Sequence, residues 1–171
     1  QNKFPDRIVL HSPEFLSERT AAHEVDHPNE NIIGIPLSNK KRKEIAERII
    51  KILPMSPYNL VCSSTEAEII KYGHNCLGYT RIVFTNMLYD LADKLGCDWN
   101  KIQEAMSMDP VIGPTYMNPI HKNGRGAGGN CFIKDFSAFI KSYQKLLDSD
   151  LYGIRLLKTI ERKNMELLKS T

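Results

Sequence analysis

The chain has 171 residues, 42% hydrophobic and 25% charged, with a formal net charge of +3. That is enough apolar material for a packed core and too little positive charge to argue for nucleic acid. No apolar run approaches the ~20 residues of a membrane span, no signal-peptide pattern opens the sequence, and no repeat or low-complexity segment is present.

The first residue is Gln1, and strand-like material follows almost at once, so the sequence reads as a piece of a longer protein. "RIVLHS" (Arg7–Ser12) is a short apolar, β-branched run that predicts a strand. Ser12 and Pro13 then suit the cap and first position of a helix carrying Glu14 and Glu18, two carboxylates placed to complement its dipole. "NIIGIP" (Asn31–Pro36) and "YNLVCS" (Tyr58–Ser63) predict two more strands. Between them, "KRKEIAERIIKIL" places Ile45, Ile49, Ile52 and Leu53 at helical spacing. The cluster Lys40-Lys41-Arg42-Lys43 reads as a solvated helix start. Strand, helix, strand is the rhythm of a parallel sheet. Three strands and one or two helices cannot cover both faces of such a sheet, so partners of this α/β unit are missing from the sequence.

From Ser64 onward the texture is helical, and residues 64–171 are expected to form an all-α domain. A capping box from Thr65 to Glu68 opens a helix that closes on Gly96, with Ile70, Leu77, Phe84, Leu88, Leu91 and Leu95 as its apolar stripe. Shorter helices are expected over Asp98–Met106, from Cys131 to about Leu147, and over Leu151–Leu168. A loop rich in Pro and Gly separates the first of these from the second. The fold class is thus an α/β remnant followed by an all-α domain with one long helix, predominantly helical.

Three features carry possible chemistry. Gly124, Gly126 and Gly129 match G-x-G-x-x-G, but turn-like "NPIHKN" precedes them where the dinucleotide fingerprint needs a strand. Cys131 follows this glycine run at a helix start that Asn130 can cap, where the helix dipole favours thiolate; Asp135 lies one turn on. A free cysteine there is otherwise a packing residue. Lys71 and Asn75 stand four apart on one helix face, able to donate to an oxyanion or simply to face water. Cys62, Cys76, Cys97 and Cys131 show no C-x-x-C pair and no zinc-finger spacing with the histidines. Free thiols in a reducing cytoplasm and no metal are the expectation.

Together, "SPEFLSERTA" (Ser12–Ala21), "TEAEIIKYGHN" (Thr65–Asn75), "MDPVIG" (Met108–Gly113) and "GAGGNCFIKD" (Gly126–Asp135) resemble the UDP-glucose/GDP-mannose dehydrogenase family in order and approximate spacing. The resemblance implies that residues 1–63 are the C-terminal part of a Rossmann-like NAD-binding domain and 64–171 the central helical domain. It also implies that the activity is NAD-dependent oxidation of C6 of a nucleotide-linked hexose, from alcohol to uronate. Cys131 would form a thiohemiacetal and then a thioester. Lys71 and Asn75 would stabilise oxyanions and hold water, Asp135 would orient water or relay a proton, and Glu14 would assist hydrolysis. Phe15, Leu16, Tyr116, Asn118 and Gly128 would contact the sugar nucleotide, with Glu18 and Lys134 near the nicotinamide. The long helix would pair with its copy in a homodimer, with neither nucleic acid nor membrane as partner.

Some residues depart from the family's pattern. Val111 stands where an arginine is common, Ala127 where an aromatic is usual, Arg19 for a glycine and Ile133 for a proline or glutamine. The loop to Cys131 is longer than usual around "HKNGR", and Arg125 is a candidate to restore the lost positive charge. The glycine-rich NAD fingerprint and the family's nucleotide-gripping C-terminal domain are absent from these residues. The chain alone is therefore expected to be inactive, and a non-catalytic helical dimerisation module or degenerate homologue is the alternative.

Overall fold

The computed structural model describes residues 3, 7–17, 20–37, 39–122 and 124–170. The chain forms two compact units, Gln1–His74 and Asn75–Thr171, and the division falls inside one continuous helix.

In the first unit, helix α1 (Ala21–Asp26) precedes strand β1 (Glu30–Ile35), helix α2 (Lys40–Ile50) and strand β2 (Tyr58–Ser63). β1 and β2 pair in parallel, with Ile33 opposite Val61 and Ile35 opposite Ser63. This is the expected strand–helix–strand unit. β1 is buried on both faces, in keeping with Ile32, Ile33 and Ile35 pointing to either side of it. Ile33, Ile35 and Ala46 of α2 form the core, with Leu10, Ile49, Ile50, Leu53 and Val61 packed around it. Asn39 starts α2 by accepting the Arg42 N–H at 2.9 Å.

The expected strand over Arg7–Ser12 is not formed. Only His11 bridges, exchanging antiparallel backbone bonds with Gly34. Ile8 and Val9 stay exposed, so that run buries too little to hold a longer ladder. Nor do residues 12–17 form a helix. The Ser17 N–H, which a helix would bond to the Pro13 carbonyl, instead donates to the Glu24 carboxylate at 2.6 Å. That carboxylate also takes the Thr20 hydroxyl, and the Thr20 and Ser17 bonds hold its pKa below the ordinary value.

Helix α3 (Ser64–Lys94) follows β2 without a loop. Its capping box is Ser63–Glu66, two residues before the expected one. The Glu66 N–H donates to Ser63 Oγ at 3.2 Å and the Ser63 N–H to the Glu66 carboxylate at 2.7 Å. Gly34 permits the close approach of β1 to the start of α3, because a Cβ there would lie 2.8 Å from the Ser64 Cα.

The second unit holds the remainder of α3 and helix α4 (Trp99–Met108), capped by Asp98. A hairpin of β3 (Ile120–His121) and β4 (Gly124–Arg125) follows, then helices α5 (Asn130–Leu146) and α6 (Leu151–Lys169). The hairpin lies within a stretch expected to be loop. Tyr79 of α3 stacks on Phe136 of α5 with centroids 4.0 Å apart, and Ile140, Ile154 and Leu167 complete the α5–α6 core. On α3, Leu77, Phe84 and Leu91 recur every seventh residue and stay exposed. No helix among the described residues is long and apolar enough to cross a membrane.

Candidate functional site

In the first unit the loop 12–17 is fixed by its own side chains and by α3. One Glu14 carboxylate oxygen accepts the Leu16 N–H at 2.8 Å, and the other lies 3.6 Å from Lys71 Nζ. Lys71 also stands over the Phe15 ring, 5.3 Å from its centroid, and His74 meets that ring edge-on at 5.4 Å. Phe15 is therefore held between a cation and an imidazole, one turn apart on the helix. His74 keeps some solvent contact, yet packing around its ring desolvates it. That desolvation, and then the Lys71 charge, lower its pKa. Glu18 and Arg19 lie outside the described residues.

In the second unit Asn75, 5% exposed, donates from Nδ2 to Asp135 Oδ2 at 2.6 Å. Asp135, 9% exposed, receives Lys134 Nζ on its other oxygen at 3.2 Å. The α3 amide and the α5 carboxylate thus meet away from water. Neighbouring Cys76 is also buried; desolvation first and the Asp135 charge second push its thiol up to about 11. Cys131 sits one turn before Asp135 in the first turn of α5 and is exposed. Asn130 does not cap that helix. It is already the first helical residue, and Gly129, at φ +82°, takes the cap position with no side-chain bond.

Among the expected substrate residues, Tyr116 adopts φ +58° and packs edge-on against Phe132 at 5.6 Å. Gly78 of α3 leaves the room, since a Cβ there would come within 2.9 Å of the Tyr116 ring. Asn118 accepts the Ile120 N–H at 3.1 Å and starts the hairpin; Gly128 and Leu16 are exposed. Arg125 is not available to replace a lost substrate cation. It binds Asn86 at 2.9 Å and Asp90 at 2.6 Å, and lies over the Tyr89 ring. Val111 is exposed, whereas Ala127 is fully buried.

Asn164 and Tyr79 escaped the sequence reading. Asn164 bonds the backbone of Ala127 on both sides. Burial pushes the Tyr79 phenol up to about 12, against an opposing hydrogen bond with Asn164. The available signal was an asparagine on the face of α6 that carries Ile160 and Leu167, where an apolar residue is the rule.

The described residues do not make an NAD pyrophosphate cradle. Gly124, Gly126 and Gly129 run from a two-residue antiparallel hairpin into α5, and the β1–α2 connection holds no glycine-rich turn. Nor do any three His, Cys, Asp or Glu among the described residues group to hold a metal.

Comparison with known proteins supplies the parentage. A UDP-glucose 6-dehydrogenase of Rickettsia bellii is 31% identical over 159 residues, covering 92% of this chain and 34% of that protein. The structure of a UDP-glucose dehydrogenase from the archaeon Pyrobaculum islandicum superposes with a TM-score of 0.76 at 30% identity, covering 93% of this chain and 34% of that one. A UDP-D-ManNAc dehydrogenase of Pyrococcus horikoshii, at 22% identity and a TM-score of 0.73, shares the fold. The chain thus spans about a third of the length of these relatives. The model of the UDP-glucose/GDP-mannose dehydrogenase central domain matches residues 65–166, and the chain belongs to that family.

Proposed function

We propose that this chain supplies the reacting centre of an NAD-dependent nucleotide-sugar 6-dehydrogenase. It would join the end of an NAD-binding domain (1–63) to the central helical domain (64–171). The observation that carries the reading is the buried Asn75–Asp135 bond, one helical turn beyond an exposed cysteine. Exposure suits Cys131 to attack, whereas the buried Cys76, with its raised pKa, does not.

Bound NAD⁺ would supply the hydride acceptor for both oxidations. No dinucleotide fingerprint is found among the described residues, so the chain's own contribution is to the carbon, oxygen and proton steps. Once the C6 alcohol is an aldehyde, the Cys131 sulfur adds to its carbonyl carbon. A C–S bond forms, the carbonyl π pair moves to oxygen, and protonation of that oxygen completes the thiohemiacetal. Lys71 and Asn75 are the donors assigned to the oxyanion. Loss of the remaining C6 hydride and the hydroxyl proton leaves a thioester. Water then attacks, the C–S bond breaks with its electron pair returning to sulfur, and the uronate departs. Asp135 and Glu14 are the carboxylates assigned to orient that water and take its proton. Phe15, Leu16, Tyr116, Asn118 and Gly128 are assigned to the sugar nucleotide, and Glu18 and Lys134 to the nicotinamide side.

The names of the relatives favour UDP-glucose over GDP-mannose as substrate. The free thiols suit a reducing cytoplasm. The seven-residue stripe of Leu77, Phe84 and Leu91 suits pairing of α3 with a second copy. That stripe also supports the second reading, a dimerisation module without catalysis. Replacing Cys131 by Ala in the full-length protein decides between them: uronate formation is expected to be lost, and NAD⁺-dependent acid formation at the wild-type rate would refute the covalent route.

A further inference from the structure

Cys131 stands at the end of a short run of backbone that is anchored at two points. At the first, Arg125 Nε donates to Asn86 Oδ1 at 2.9 Å and its guanidinium pairs with Asp90 at 2.6 Å, fixing the end of β4 to α3. At the second, Asn164 of α6 holds Ala127. Its Oδ1 accepts the Ala127 N–H at 2.6 Å and its Nδ2 donates to the Ala127 carbonyl at 2.9 Å. An amide side chain that satisfies both polar groups of one residue acts as a strand partner would, setting the orientation of that backbone as well as its place. Asn164 is 1% exposed and Ala127 is fully buried, so water does not compete for these bonds.

The fit tolerates no change at the neighbouring glycine. Gly126 has φ +80°, and a Cβ on it would lie 2.8 Å from Asn164 Oδ1 and 3.0 Å from the Leu167 Cβ. Beyond the clamp, only Gly128, Gly129 and Asn130 separate Ala127 from Cys131. Gly129, at φ +82°, makes the turn into α5. Asn164 also lies beside the hydroxyl of Tyr79, whose ring stacks on Phe136, five residues past Cys131. One buried amide therefore joins the incoming loop, α3 and the helix that carries the thiol.

We propose that Asn164 is a positioning residue for Cys131: by clamping Ala127 it sets where α5 begins and so where the sulfur is presented. This rests on the reading of Cys131 as the nucleophile. A loosened clamp displaces the thiol and, with it, the adjoining Gly128 assigned to the sugar nucleotide, but removes no side chain that meets substrate or dinucleotide, so it acts mainly on the chemical step.

The test uses the full-length protein with Asn164→Ala and Asn164→Asp, the second of which keeps the acceptor for the Ala127 N–H and loses the donor. Asn164→Ala is expected to lower kcat for acid formation about tenfold or more, with KM for NAD⁺ within about twofold and KM for sugar nucleotide raised by less than kcat falls. Hydrogen exchange at the Ala127 amide should accelerate by about tenfold or more while the interior amides of α6 keep their rates. Asn164→Asp should retain protection at Ala127 and fall between the two in kcat. A kcat within about twofold of wild type despite a deprotected Ala127 amide overturns the proposal. So does a loss of kcat that tracks a rise in KM and general loss of α5 and α6 protection, since that is a structural role only. Should Asn164→Ala not fold, Asn164→Asp decides: a wild-type kcat overturns, and a partial loss at unchanged KM for NAD⁺ supports. Acid formation by Cys131→Ser in the same assay would sink the nucleophile reading instead, and is scored separately.

Discussion

Replacing Asn75 by Leu keeps the branched side-chain shape and removes the amide that bonds Asp135 at 2.6 Å. Asp135 then keeps only the Lys134 contact at 3.2 Å, whose lysine side chain is 73% exposed and contributes little in water. A hydrogen bond to a charged acceptor is worth about 1.5–3 kcal/mol, and an orphaned buried oxygen costs a similar amount, so Asn75→Leu should destabilise the second unit by about 2 kcal/mol. Asp135→Leu orphans the Asn75 amide and should cost about the same. The double replacement orphans nothing and should cost no more than either single change, a coupling of about 2 kcal/mol. Trp99, the one tryptophan, reports on this unit, because it packs edge-on against Tyr89 of α3. Urea unfolding followed by its fluorescence gives all four corners of the cycle. Strictly additive costs, or single changes below about 0.5 kcal/mol, would refute the argument that this pair is the buried joint between α3 and α5.

Iodoacetamide at neutral pH should label exposed Cys97 and Cys131 and leave Cys76 unmodified until the fold opens; equal labelling of Cys76 in the folded chain would contradict its burial. Because burial raises the Cys76 pKa from 9.0 to about 11, its contribution to stability is complete below pH 9 and is lost as pH rises toward 11. Cys76→Ala should remove that alkaline slope. His74 works in the opposite sense: its lowered pKa gives stability that is complete above the ordinary 6.5 and is lost as pH falls below it. His74→Gln should flatten the acid limb of a stability–pH curve, and an unchanged limb would contradict the shift. Gly78→Ala would bring a methyl within 2.9 Å of Tyr116 and 3.1 Å of Phe132. It should cost about 1–3 kcal/mol by forcing the aromatic pair apart, measured in the same urea assay.

The parts of the fold that were legible are those where the local pattern and the packing agree. The β-branched residues Ile32, Ile33 and Ile35 are buried as expected, and of the α2 stripe Ile49 and Leu53 pack on that core while Ile52, past the end of the helix, stays exposed. Residues 7–17 were misread because their fate depends on distant partners. Arg7–Ser12 meets β1 at His11 alone, and the Ser17 amide is taken by Glu24 instead of by a helix. Both Ser63–Glu66 and Thr65–Glu68 fit a capping box, and the earlier one forms because β2 hands its last residue directly to α3. Asn75 and Asp135 were legible as candidates from their helical spacing, but 60 positions separate them, and no spacing rule predicts that they meet. Asn164 was illegible for the same reason: its partner is a backbone group in a glycine-rich loop 37 positions away.

The central claim is that the Cys131 sulfur becomes covalently bonded to the oxidised carbon of the substrate. Denaturing mass spectrometry of the full-length protein, quenched during turnover with UDP-glucose and NAD⁺ and carrying Glu14→Gln to slow hydrolysis, tests it directly. An acyl adduct on the Cys131 peptide, absent without NAD⁺, is the predicted result. Acid formed with no adduct on that peptide, or an adduct on Cys97 or Cys76 in its place, would contradict the account.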